Sequence, residues 1–542
     1  DRPDGSYATT TYTAIDTPAS VCEGTRCTTY VYDNAGREIE QHDPDGGVTS
    51  KTYDANGNVA SETDRAGRTT KYVYDAADRL TTTIYPDDTP GTDADNPFTL
   101  SVYDDGVLVS TSDERGNTTH YGYDDAGRQT SVTNALSQTT TTVYDASGRR
   151  TKVIDALLRE TQFVYDAAGR LTETIYPDST PSTTDNPRTL VSYDGAGRKV
   201  SETDPMGRIT RFAYDKAGRL VAVFLPNPTT GANPALNLTG SQPMSPDSGV
   251  LVTRYAYDQL GNKVSQTDAL GRVTRWRFDD AGRVLKRTLP LGQYETFVYD
   301  SRGRQQSHTD FRGRTTGYSY HPNTDQLATI DYPNDTDTSF TYTADGQIAT
   351  VVDVNGTTAY TYTPRNRLDS VSWPNGLSLS YGYDAAGNRT SLTTAAQSVT
   401  YTYDVLNRLS TVTPSLGGGG SYTYDAVGNR ATLTHANGVV TSYGYNPRNQ
   451  LTTLTTTRPG NVVEQKFTYT LDNSGLRLNA NETYGSGLTA AQAAYTYDAL
   501  KRLKTEYQSN SGGSRNVSWV YDGVGNRLSE ARTGSVVKTT TY

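Results

Sequence analysis

A Tyr-Asp pair returns along this chain at an interval of mostly 20 to 22 residues, and no other feature limits the fold as tightly. It stands at Tyr32, Tyr53, Tyr74, Tyr103, Tyr123, Tyr144, Tyr165, Tyr193 and Tyr214, and again at Tyr257, Tyr299, Tyr383, Tyr403, Tyr424, Tyr497 and Tyr521. Variants at Phe278, Tyr320, Tyr342, Tyr362, Tyr445 and Tyr469 bring the array to about 22 units. A second aromatic often lies two residues earlier, as in Tyr30, Tyr72, Phe163, Phe212, Trp276 and Trp519. Residues i and i+2 share one face of a strand, so each unit shows an aromatic pair on one side and Thr, Ser or Val on the other.

Directly after the key Tyr comes Asp-x-x-Gly followed by Arg or Asn, as in Asp54 to Gly57, Asp166 to Gly169 and Asp215 to Gly218. Asp accepts a backbone bond two residues on, and Gly at the fourth position takes positive φ, so the strand reverses with a bulge. The return strand often opens on Leu, as at Leu80, Leu171, Leu220 and Leu409. About ten residues later a second Asp-x-x-Gly follows, at Asp64, Asp113, Asp204, Asp268 and Asp310. Each unit therefore reads strand, turn, strand, turn, and the chain supplies some 40 strands in one meander. Open sheets rarely exceed about 10 strands without curling, so this one is expected to coil into a spiral or close as a shell.

Composition agrees with an all-β chain. Tyr numbers 41 against 9 Phe, Gly reaches 49, and hydrophobic residues make up only 34%. The core must lean on an amphipathic ring whose hydroxyl stays wet or finds a partner. The net charge of −10 carries no basic block, which argues against a nucleic-acid surface, and no apolar run reaches a membrane span. Asp1 to Tyr7 hold no signal peptide and no initiator Met, so the chain reads as a mature product or a fragment of something longer.

The domain reading is a 1–27 strand and loop segment followed by a 28–542 repeat array. Cys22 and Cys27, with four residues including a Gly between them, either close a small disulfide loop in an oxidising compartment or stand as two thiols; the disulfide is preferred. Insertions near 84–99, 175–190 and 225–250 break the rhythm. The first two match, with Ile84-Tyr85-Pro86-Asp87 repeated as Ile175-Tyr176-Pro177-Asp178, 91 residues on, which implies a duplicated four-unit block. They read as loop growth at a rim, with a binding loop as the functional alternative.

These motifs carry a resemblance. Tyr165 followed by Asp-Ala-Ala-Gly-Arg-Leu171, at this period, resembles the Rhs/YD-repeat family of bacterial Rhs polymorphic toxins, Tc toxin C components, wall-associated proteins and teneurins. The resemblance covers roughly residues 28 to 542. It implies a spiralling β-sheet wound into a hollow barrel or cocoon, which in the toxin members encloses a C-terminal effector. It also implies a secreted or cell-surface location and, as partners, a toxin cargo or neighbouring copies. The toxin members' core segment with its self-cleaving aspartyl site has no counterpart here; Asp43-Pro44-Asp45-Gly46-Gly47 fits an ordinary second turn. Toxin activity is therefore not assigned to these residues.

No catalytic, cofactor or metal set emerges. His42, His120, His308, His321 and His435 are scattered over different repeats. Asp54-Ala-Asn-Gly-Asn58 lacks the later bidentate Glu of a calcium loop. The Arg after each turn Gly reads first as structural, pairing with the turn Asp or stacking on Tyr, and second as a sugar contact. Three functions follow: a shell segment presenting a toxin, an adhesion or glycan-binding module, and a self-assembling fibre. An enzyme is the least favoured class.

Overall fold

The computed structural model describes residues 8–87, 95–180, 184–234, 249–485, 489–510, 512–534 and 538–541. They form 47 strands in one antiparallel sheet, each hydrogen-bonded to the next in sequence. Two strands for each of the 22 repeat positions give 44, running from Arg26–Tyr32 to Arg527–Gly534. The remaining three are Ala8–Tyr12, Pro18–Glu23 and Lys538–Thr541. The sheet thus starts before residue 28: Ala8–Tyr12 pairs with Pro18–Glu23, which pairs with Arg26–Tyr32. Cys22 and Cys27 lie opposite each other in that second pairing and are joined as a disulfide.

The turns follow the sequence. Gly169 N donates to Asp166 O at 2.9 Å, and Asp166 N to Arg170 O at 3.0 Å. Gly169 has φ 79°, the left-handed region where a Cβ is strained. The bulge falls between Val164 and Tyr165. One unit is shifted from its expected frame. The position next to the turn at Asp472 is Leu471, which makes Tyr469 the aromatic two residues upstream.

All tyrosine-side turns lie on one rim of the sheet and all second turns on the other, because every strand reverses. The rims then meet. Arg115 lies in the second turn that follows the strand Val107–Ser112, and it touches the turn at Asp404, 25 strands further on. Arg208 touches Ser474, 23 strands on. The offset is odd because opposite rims are in contact. The sheet is therefore a spiral whose second coil, from about residue 323, lies against the rim of its first. At ~4.8 Å between strands, about 24 strands give a perimeter of ~115 Å and a width of ~35 Å.

This wall is one layer thick. The surface is 30089 Å², against about 19,000 Å² for a compact monomer of the same mass. Buried hydrophobics among the described residues are few: Ala222, Phe224, Val250 and Val252 cluster together, with Val371 and Val517 elsewhere. No tyrosine-filled centre exists among them. The sheet spirals without closing, since Ala8–Tyr12 and Lys538–Thr541 each pair on one side only.

Candidate functional site: the unit clamp and the seam between coils

Each unit is clamped to the next by the residues that define the repeat. In the turn from Asp145, Oδ1 accepts the backbone N–H of Ser147 at 2.9 Å and of Arg149 at 3.0 Å. Oδ2 accepts Arg149 Nε at 2.7 Å. The same guanidinium then stacks on the next unit's Tyr165, 5.0 Å from the ring centroid, and Nη1 reaches Asp166 O at 3.4 Å. Tyr165 Oη donates back to Arg150 O at 2.7 Å. The same set recurs at Asp124–Arg128–Tyr144 and Asp194–Arg198–Tyr214. The recurrent Arg is thus engaged by its own turn and by the following unit.

This geometry moves the acids down. Backbone and side-chain bonds from Arg37 hold Asp33 below its ordinary value, and the Arg79 side chain and backbone do so for Asp75. Backbone and side-chain bonds from Arg314 lower Asp310 to about 2. Burial pushes the Tyr299, Tyr383 and Tyr424 hydroxyls upward. Asp54 likewise accepts from the N–H groups of Asn56 and Asn58 and from the Asn58 amide.

The seam is made by different residues. Arg26 Nη2 donates to Asn323 O at 2.6 Å, and its Nη1 lies 3.4 Å from Asp325. Arg68 pairs with Asp345 and donates to Thr363 O at 3.3 Å. Arg115 donates to Asp404 O and Asn407 Oδ1, both at 2.9 Å, while Arg365 pairs with Glu114 at 2.6 Å. Arg159 reaches Asn449 Oδ1 at 3.0 Å, and Lys501 lies 3.3 Å from Asp204. These partners are 251 to 299 residues apart. Cavities of about 310, 610 and 260 Å³ lie along the seam.

Two features of the seam went unread in the sequence. Asn407, Asn449 and Lys501 occupy the turn position that is usually Gly, at φ 58°, 60° and 65°. A non-Gly residue there is strained, and these three use the side chain gained to meet the first coil. The duplicated Tyr-Pro insertions also dock on the second coil. Tyr85 lies under Arg365 at 4.5 Å and Tyr176 under Arg448 at 5.0 Å. Both arginines sit in Pro-Arg-Asn turns, at 364–366 and 447–449. The insertion residues 88–94, 181–183 and 235–248 lie outside the described ones.

The histidines stay dispersed: His42 bonds Glu40, His308 bonds Glu295, and His321 lies 3.2 Å from Phe340 O. Among the described residues, no three His, Cys, Asp or Glu are grouped to hold a metal ion, and no helix is long and apolar enough to cross a membrane.

Known proteins share both repeat and fold. The RHS repeat model matches residues 53–90, 103–139, 123–157, 144–181, 193–226 and 257–294, and the Teneurin YD-shell model matches 375–538. The chain belongs to the Rhs/YD-repeat family. Among solved structures, this YD-repeat chain is similar to TcdB2-TccC3, with TM-score 0.77 and 16% identity over 99% of this chain and 34% of that one. It is also similar to TcdB2-TccC3-Cdc42, at TM-score 0.66 and 19% identity over 98% of this chain and 30% of that one. A third is the Tc holotoxin pore of Photorhabdus luminescens, at TM-score 0.65 and 20% identity over 95% of this chain and 28% of that one. The chain spans about a third of the length of these structures. No curated protein matches it in sequence.

Proposed function

We propose that this chain is a wall segment of a secreted Rhs-type shell that encloses or presents a toxin cargo lying outside residues 1–542. The observation that carries this reading is the one-layer spiral, held coil on coil by the Arg26-to-Lys501 seam and leaving a space ~25 Å wide after side chains on a ~10 Å thick wall. Such a wall separates an interior from solvent without a packed core. The Tc toxin relatives, whose complexes include TccC3, support a toxin as cargo. The clamp residues are spent on one another, so the wall itself is assigned a non-catalytic part.

The test is single-particle imaging of the intact gene product. The reading expects a hollow wall with a second polypeptide region inside it. An interior filled by the side chains of the repeat array would refute it.

A further inference from the structure

We propose that the Cys22–Cys27 disulfide is a thiol-sensitive lock on the contact where the second coil first meets the first. Cys22 and Cys27 are directly opposite in the hairpin formed by Pro18–Glu23 and Arg26–Tyr32, with Glu23 opposite Arg26 at its tip. Arg26 is the residue next to Cys27. Its Nη2 donates to Asn323 O at 2.6 Å, and its Nη1 lies 3.4 Å from Asp325. Asp325 is in turn held by Arg304 at 2.9 Å and Arg302 at 3.3 Å. The lock therefore joins the start of the sheet to a turn that is itself cross-tied to its neighbour.

The position makes this contact vulnerable. Outside the hairpin, among the described residues, lies only the edge strand Ala8–Tyr12, which is exposed at all five residues. A sheet opens from its ends and from segments with little burial. Fraying that passed Pro18–Glu23 would free the strand carrying Arg26. The disulfide holds the Glu23–Arg26 end of the pairing in register, so it stops fraying before the seam. Cys22 and Cys27 are each half-buried rather than enclosed, which gives a small thiol an approach.

The partner chemistry is a dithiol. One of its thiolates attacks the Sγ of either cysteine, forming a mixed disulfide and releasing the other cysteine as thiolate. Its second thiol then attacks the mixed disulfide and leaves as a cyclic disulfide. Two electrons and two protons pass to the Cys22–Cys27 pair. The lock then rests on backbone pairing alone. The inference concerns the seam and does not depend on a cargo.

Hydrogen exchange on the full chain tests it, before and after reduction by dithiothreitol, with thiol alkylation confirming that the bond is broken. Exchange is expected to rise about fivefold in both 18–32 and 320–327, matching the loss of one hydrogen-bonded contact. Cys22→Ser/Cys27→Ser should reproduce this without reductant. Arg26→Ala should raise exchange at 320–327 by itself, and reduction should then add nothing there. Full reduction that leaves 320–327 unchanged in the wild-type chain would overturn the proposal.

Discussion

Arg115 donates to Asn407 Oδ1 at 2.9 Å, and Asn407 holds the left-handed backbone conformation with φ 58°. The strain and the contact belong together. Glycine at that position relieves the backbone by about 1 kcal/mol, while loss of the Asn side chain also removes its bond to Asp113. Asn407→Gly should therefore leave overall stability within ~1 kcal/mol of wild type yet speed hydrogen exchange at residues 403–408. Arg115→Ala should speed the same segment, and the double variant should fall short of the two effects combined, by the bond they share, since Arg115 also holds Asp404 O and Asn407 also holds Asp113. Additive effects would show that the two residues do not act as one contact.

Thr363 stands where most units have the turn Asp, and Arg367 Nε has no hydrogen-bond partner among the described residues. Burial, and then the nearby Arg365, lower the Arg367 value. Thr363→Asp supplies the missing carboxylate. Denaturant unfolding should show a gain of about 0.5–1 kcal/mol, the size of a partly exposed ion pair. A loss would mean that the position is set by the seam contact from Arg68.

The tyrosine hydroxyl is the return half of the clamp. Tyr299 Oη donates to Val284 O at 3.0 Å. Tyr299→Phe keeps the stacking with Arg283 and removes only that bond, so a loss of about 1 kcal/mol is expected in equilibrium unfolding. An unchanged midpoint would confine the clamp to Asp and Arg.

Acid should open the array at its turns. Asp310 titrates at about 2 in the folded chain, below the ~3.9 of an unfolded Asp. Its folded value is depressed, so its contribution is full above about pH 4 and is lost as pH falls through about 2. Asp33, Asp75 and Asp124 are lowered by the same bonds. The Tm should hold from about pH 7 to 5 and fall between about 4 and 2. A fall already in the upper range would point to other groups.

The clamp was legible because it is local. Tyr165, Asp166, Gly169 and Arg170 lie within one turn and recur, so period and turn chemistry name them. The seam was not, because Arg115 meets Asn407 only after a whole coil. The number of strands in that coil depends on curvature accumulated over two dozen strands, which no single motif encodes. The signal that was available lay in the exceptions: Asn407, Asn449 and Lys501 in place of Gly, and Tyr85 and Tyr176 in the matched insertions. Their meaning required the second coil. The extra strands at Ala8–Tyr12 and Pro18–Glu23 lack the Tyr-Asp mark and so fell outside the repeat.

The coil-on-coil spiral is tested most directly at Lys501 and Asp204, whose Nζ and Oδ2 lie 3.3 Å apart across the seam. A zero-length carbodiimide cross-link, read by mass spectrometry at low protein concentration, joins an amine to a carboxylate only in contact. An equal mixture of isotopically light and heavy chains separates links within one chain from links between chains. The account predicts a Lys501–Asp204 link of unmixed isotope. A chain that links Lys501 only to its sequence neighbours, or to Asp204 only in mixed-isotope pairs, would contradict it.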